Sequence, residues 1–499
     1  MAAKPGSGYL RRWIRRIGWL TLGLSILALI GLGLVWFKFE RIAAEGKKQL
    51  AAAIAETDAL DPRWRWEEIQ EGLPTIPDDE NSMLIIGQLA GSRGKWQPSE
   101  FSLPEGEDVT EAWPANRHLD EERLKLIRVK LEQREQDLAL AVSLKDFPRG
   151  HATVQIAPDL LSTSLEHAQN CRLPLFLLRF DLERLLQNGQ LQEATIRIHA
   201  TLHAVAGLRQ DFFLISQLVR MAGRRVAAEE TERLLGMGEI GDAELARLAA
   251  HFGEEVGENL MLIGVCGERA GWHFVFDNLE SGRLPLADFF AQAEAFGSKS
   301  KPSASNHISS FIYQPRLYED HAFMLKWMND AWAIAQLPIS EQVMAWKEHE
   351  DEIRTVGADA RAGKGRILCA FFLPSLRRVA EASMRDQASL SCVQVALASE
   401  RFRLAHKRWP QDLQELCPVY LKMVPIDPFD GTPLKMSQRD DGIVIYSVDR
   451  DGEDDGGDVH KKSPDDEAPK DLGVRLWNPD HRGLPPEPKK EQANDDEEL

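Results

Sequence analysis

The strongest pattern along the chain is one uncharged apolar run, Ile17 to Phe37, reading IGWLTLGLSILALIGLGLVWF. As a helix rising about 1.5 Å per residue, it matches the roughly 30 Å of a bilayer's hydrocarbon core. Trp19, Trp36 and Phe37 stand near its ends, where aromatic rings favour the membrane–water interface. Lys4, Arg11, Arg12, Arg15 and Arg16 precede it with no acidic residue among them, whereas Glu40 and Glu45 dilute the cations that follow it. That excess predicts the N-terminus inside the cytoplasm and the bulk of the chain outside. A cleaved signal peptide has a shorter apolar region and a small-residue cleavage site. The sequence IAAEG around Ala43 lacks the A-x-A form, and Ala51-Ala52-Ala53 lies beyond several charges. The expectation is therefore an uncleaved single-pass anchor in the cytoplasmic membrane, with residues 1–16 a cytoplasmic basic tail and 17–37 the part that meets lipid.

Beyond the anchor, residues 38–364 carry mostly helical periodicity. Leu124, Ile127, Leu131 and Leu138 share a face of a predicted helix over Glu122 to Leu144. Leu175 to Gln187 is apolar at helical spacing and stops at Asn188-Gly189, and a second helix over Leu191 to Gly207 follows at once. This pair predicts a helical hairpin, and its NGQLQEA turn resembles that of a tetratricopeptide repeat. Asp211 to Glu232 and Asp242 to Phe252 read as further helices, with Asp242 placed to cap the second. No period repeats cleanly, so the pattern predicts an irregular helical array and no solenoid.

From about Gly365 the pattern changes. A long helix is predicted to reach Lys407, with Pro374 marking a kink or break near its start. After it come a strand near Leu434, a tight turn at Asp440-Asp441-Gly442, a strand GIVIYSV and a last strand from Asp471. The fold class expected is mostly α: a transmembrane helix, a helical array, and a small C-terminal α+β module with antiparallel strands over 365–483. Residues 484–499 are rich in proline and charge and are expected to be disordered.

Composition narrows the functions. The 499 residues exceed one compact core, so two or three domains are expected. A net charge of −18 argues against nucleic acid as a partner, because holding a phosphate backbone needs clustered lysine and arginine. The five cysteines lie far apart with no C-x-x-C, so nothing supports a zinc or thioredoxin-like site. One or two disulfides stay open. His199 and His203 share a helix face but lack the glutamate of H-E-x-x-H, and a structural role is favoured. Ser298 to Lys301 has the S-x-x-K spacing without a K-T-G. Gly357 to Lys364 fails the phosphate-loop spacing.

One segment is dense in hard oxygens: DRDGEDDGGD, with Asp449, Asp451, Asp454, Asp455 and Asp458 within ten residues. Calcium takes six to eight oxygen ligands, and glycines let a chain wrap closely enough to present both carboxylates and carbonyls. The EF-hand spacing is absent, since Asp454 or Lys462 falls where that loop needs glycine or glutamate. A solvated acidic turn is the competing reading.

The order of phrases here resembles the C-terminal part of the major type II secretion pseudopilins. Their long helix ends in a phrase like ALASERFRLAHKRWP, which closes at Pro410. A turn like VPIDPFDGTP, Val424 to Pro433, and a strand ending in Tyr446-Ser447 follow. Their next loop binds calcium, and Asp451, Gly452, Gly456 and Gly457 match its pattern. Asp449 stands where the family has glycine, and the loop is one residue longer. The likeness covers residues 385 to 478. A pseudopilin's processing site has a glutamate soon after its glycine and aromatic residue, whereas Gly8-Tyr9 is followed by arginines. The resemblance therefore implies the module without assembly into a pseudopilus. The arrangement also resembles large bacterial membrane-anchored proteins ending in such a module.

These readings converge on a membrane-anchored extracytoplasmic binding or scaffolding protein near a secretion or pilus-like assembly, with envelope proteins as partners and calcium on the five aspartates. No catalytic signature was found. The alternative is an envelope hydrolase with a site assembled from His151, His199, His203 or His321 and nearby acids. A deep pocket where they converge would favour it.

Overall fold

The structure is a computed structural model that describes residues 7–91, 113–295, 304–361, 366–373, 376–460 and 469–486. Helix α1 (Ser7–Leu60) does not stop where the apolar run ends. The segment after Phe37 is rich in Ala, Glu, Lys and Leu, strong helix formers, so the helix propagates through it. The two halves have opposite surroundings. Leu20, Leu27, Leu34 and Phe37 are about two-thirds exposed, whereas Leu50 and Ala53 belong to the core. Among the described residues α1 is the one helix long and apolar enough to cross a membrane.

The chain then folds through α2 (Trp66–Glu71), α3 (Ser82–Gly91), α4 (Glu121–Glu132), α5 (Glu135–Ser143) and α6 (Glu166–Asn170). The single helix expected over Glu122 to Leu144 is two. Arg134 leaves the helical region at φ −124°, ψ 27° and separates α4 from α5. The predicted hairpin forms as α7 (Arg172–Gln187) and α8 (Leu191–Ala206), turning at Gly189 with φ 71°. Helices α9 (Leu214–Met237) and α10 (Asp242–Val256) follow. Gly241 holds the cap position of α10, and the Asp242 carboxylate instead accepts from Arg401 Nε at 2.7 Å.

Helices α11 (Leu260–Ser281), α12 (Leu286–Ala295), α13 (Ala304–Tyr313), α14 (Leu317–Ile334), α15 (Ile339–Arg361) and α16 (Ile367–Phe372) complete the array. Here α1 is seated. A Cβ on Gly46 would lie 3.0 Å from the Tyr318 Cβ, and Asn329 Nδ2 donates to Thr57 Oγ1 at 2.9 Å. These contacts advance together along both helices, so α14 runs parallel to α1. One hydrophobic core joins α1 to α11, α12, α14, α15 and α16.

Helix α17 (Leu376–His406) starts just beyond Pro374, which lies outside the described residues. Leu390, Val393 and Leu397 are fully buried, and so are Cys392, Val395 and Ala396 around the rest of the helix. A helix buried on every side sits inside a larger core. It carries three antiparallel strands, β1 (Lys435–Arg439), β2 (Gly442–Ser447) and β3 (Leu472–Trp477), in that order. Arg439 pairs with Gly442 across the expected two-residue turn. Ile443, Ile445, Val474 and Leu476 share one core with α17 and with α7 to α10. The fold is mostly α with one small antiparallel sheet. Of the tail expected to be disordered, residues 487–499 lie outside the described residues, while Leu484 is tied in: its N–H donates to Asn116 O at 2.9 Å, and His118 N–H donates to Leu484 O at 2.8 Å. All five cysteines are free.

Candidate functional site

The acidic loop begins where β2 ends, and a buried carboxylate outside it sets its start. Asp427 has no exposed surface. It accepts from Phe429 N (3.0 Å), Ser447 Oγ (2.8 Å) and Val448 N (2.9 Å), which ties the turn before β1 to the end of β2. Ser447 Oγ in turn accepts from Asp449 N–H at 3.2 Å. At the far end Asp471 accepts from Gly457 N (2.8 Å) and Asp458 N (3.1 Å). Gly457 lies against Val444 and Tyr446, where an added Cβ would come within 3.1 Å and 3.2 Å, at φ 86°. The loop thus folds back over the face of β2 turned away from Ile443 and Ile445, and only glycine fits both the space and the backbone there.

Between those ends each aspartate has its own partner. Asp449, buried and at φ 53°, faces Arg385 with 3.0 Å between Oδ2 and Nη2. Asp451 is exposed and accepts from Glu453 N–H at 3.1 Å. Asp454 accepts from the Tyr446 hydroxyl (2.9 Å) and from Gly456 N–H (3.0 Å). Asp455 pairs with Lys470 at 3.0 Å. Asp458 contributes its backbone: its N–H donates to Asp471 and its carbonyl accepts from Asp471 N–H at 3.2 Å. Two buried oxygens have no hydrogen-bond partner, Asp449 Oδ1 and Asp471 Oδ1. Burial pushes both carboxyls above the usual carboxylate range. The donors are hard oxygens of the kind calcium takes. Their arrangement is not a closed shell: among the described residues no three His, Cys, Asp or Glu are grouped to hold a metal ion. Arg385 and Lys470 supply positive charge to the loop instead. The acidic stretch 461–468 lies outside the described residues.

The four histidines singled out from the sequence fall in three places. His321, almost fully buried on α14, places Nδ1 2.7 Å from Glu280 Oε1 and Nε2 2.8 Å from His273 Nδ1. Burial pushes Glu280 up to about 8 and His321 and His273 down to about 3. All three are then neutral near pH 7. One hydrogen bond then joins Glu280 to His321 and a second joins His321 to His273. The Phe276 ring stacks on His321, with 4.9 Å between centroids. The cavity alongside is apolar, lined by Trp272, Phe289, Met324 and Cys369 among others, and small at about 10 Å³. His199 and His203 meet His251 of α10, with Nδ1 of His199 and of His251 2.9 Å apart. Burial holds His199 near 4 and His251 near 3. His203 Nδ1 donates to Leu144 O at 3.0 Å. His151 stands apart, and its backbone N–H donates to Asn81 Oδ1 at 3.0 Å.

Sequence reasoning missed Asp427, Asp471, Arg385, Glu280, His251 and His273. Asp471 had a usable signal, a carboxylate directly before the last strand, and Asp427 stands in the DPFDG turn before β1. The others come from elements far away in the chain.

No family model, curated protein or solved structure matches this chain.

Proposed function

We propose that this protein is a single-pass membrane-anchored scaffold of the cell envelope, with its bulk outside the cytoplasm and envelope proteins as its partners. The observation that carries this reading is the continuity of α1. Its first half presents an exposed apolar surface of membrane-spanning length, and its second half is part of the domain core. A helix built this way holds the domain at a fixed distance from the span, which suits a scaffold better than a flexible tether would. The basic tail before the span favours the N-terminus inside. A reporter enzyme active only outside the cytoplasm, fused after Leu499, should be active, and the mature protein should retain residues 1–37. An inactive fusion that is active in a cytoplasmic reporter format, or a mature N-terminus near Ala44, overturns the reading.

The C-terminal module is proposed as the pseudopilin-like part of that scaffold, with a calcium-dependent loop. Two features support it. Asp449, at the position where the family has glycine, adopts the left-handed φ that glycine favours. One buried oxygen each of Asp449 and Asp471 is a hard donor without a hydrogen-bond partner. With the ion bound, the loop would have to close around it, bringing these oxygens to one point. An ion that binds only the folded chain stabilises by RT ln(1 + [L]/Kd), about 2.7 kcal/mol at a hundredfold excess over Kd. Calcium added to EDTA-treated full-length protein should therefore raise its melting temperature, and magnesium should do less because it sheds water reluctantly. Asp471→Asn should remove most of the calcium response. An unchanged melt in calcium would leave the loop a solvated turn held by Arg385 and Lys470.

A further inference from the structure

Helix α13 presents a surface that the protein does not cover. Ile308, Phe311 and Ile312 are 62%, 69% and 56% exposed. Their i, i+3, i+4 spacing puts them on one stripe of the helix. The opposite side is buried: Tyr313 packs against Phe290 with 5.9 Å between ring centroids and hydrogen-bonds Asp320. The sequence of α13, ASNHISSFIY, has no Asp, Glu, Lys or Arg. A stripe of three large apolar side chains on an uncharged helix is costly to leave in water.

Its place along α1 says what covers it. The Phe311 ring meets the Phe39 ring edge to face, 6.2 Å between centroids. Phe39 lies two residues past the end of the apolar run, about 3 Å along the helix axis. Tyr318, at the start of α14, sits beside Gly46 and under Lys47, about 14 Å beyond Phe37 by the same rise. Since α14 runs parallel to α1, away from the span, α13 is at the end of the domain nearest the span. It therefore stands near the level where the apolar run ends, at Trp36 and Phe37, which are 66% and 67% exposed.

We propose that α13 is an interfacial helix: Ile308, Phe311 and Ile312 insert into the outer headgroup–acyl boundary beside α1, giving the domain a second point of contact with lipid. This inference rests on the reading of α1 as a membrane span. An amphipathic helix of this kind sinks its apolar face roughly 5–10 Å into the boundary. A second contact beside the span fixes the tilt and rotation of the domain over the membrane, which one helix alone leaves free.

The experiment uses full-length protein in phosphatidylcholine vesicles containing some phosphatidylglycerol. Single cysteines carrying an environment-sensitive NBD label are introduced at Phe311, Ile308, Leu27 and Val419, and labelling of the parent protein is subtracted. Val419 is 76% exposed on the C-terminal module. Lipids with a nitroxide at a shallow or a deep position then report depth. The label at Phe311→Cys and Ile308→Cys should be quenched about twofold or more by the shallow nitroxide and less by the deep one. Leu27→Cys should show the reverse order, and Val419→Cys should respond to neither. If Leu27→Cys is quenched while both α13 positions behave like Val419→Cys, the interfacial helix is wrong and the anchor stands. If Leu27→Cys is not quenched either, the anchor reading itself fails. Unquenched α13 labels that crosslink between two copies would make the stripe a self-association face and overturn the lipid assignment.

Discussion

Asp427 shows how much one buried carboxylate can organise. It accepts three hydrogen bonds, two of them from consecutive residues at the end of β2. Asp427→Ala leaves those donors buried and unpaired, at about 1–3 kcal/mol for each one stranded. The variant should melt several degrees below the parent and lose protease resistance first in the loop from Asp449 to Asp458. Glu230 on α9 is a buried carboxyl of the opposite kind, with the Thr201 hydroxyl as its one hydrogen-bonding neighbour and no close cation among the described residues. Burial pushes it up to about 8, whereas an unfolded glutamate titrates near 4.3. Between those values the folded chain holds a proton that the unfolded chain has released. Stability from this group is therefore complete at low pH and is lost as pH rises through about 8. Glu230→Gln cannot titrate, so its stability should fall less than the parent's from about pH 5 to pH 8. The difference is on the order of 2–5 kcal/mol, measured by denaturant melts across that range. The histidines pull the other way. His199 and His251 are held near 4 and 3 by burial, so acidification below about 6.5 costs stability as the unfolded chain takes up protons.

At the scale of elements, α1 and α14 behave as one unit. Gly46 is a point of close approach, with Tyr318 and Glu319 at 3.0–3.1 Å from where a Cβ would stand. Gly46→Leu should force the two helices apart at a cost of roughly 1–3 kcal/mol. In membrane-embedded protein it should raise hydrogen exchange along α14 while leaving the sheet protected. No change in exchange would mean the seam is already loose. The break between α4 and α5 and the cap of α10 teach a related lesson. Periodicity located the apolar faces of these helices correctly but not their ends: Arg134 pairs locally with Asp137 at 3.5 Å in the first turn of α5, and Asp242 reaches across to Arg401 of α17. End positions are decided by whatever contact a polar side chain can reach, and a single sequence does not contain that distance.

Across the whole molecule a buried ionic cluster joins the helical array to α17. Glu255, at the end of α10, lies 2.8 Å from both Arg209 and Arg220, and its backbone carbonyl accepts from Arg224 at 2.8 Å. Arg224 also reaches Asp386 of α17 at 3.3 Å. Burial pushes the Glu255 carboxyl up, but Arg220, Arg224 and Arg209 outweigh it and hold it below the usual range. Glu255→Gln strands buried guanidiniums and should cost about 3–5 kcal/mol. It should lower the melting temperature of the sheet and of the helical array together, because α17 belongs to both cores. Two separate transitions would show that the parts fold independently. Sequence alone determined the apolar helix, the helical character of the middle, the hairpin of α7 and α8, and the order of the three strands. Each of these follows from local periodicity, chain stiffness or turn chemistry, which act between near neighbours. Tertiary structure decided the rest: that α1 continues into the core, that α17 is buried all round, that His321 meets Glu280 and His273, and that the loop aspartates are shared among Arg385, Lys470 and Tyr446. These depend on which distant surfaces exclude water from one another, and burial of that kind sets both the partners and the protonation of charged groups only once the whole chain has closed around them.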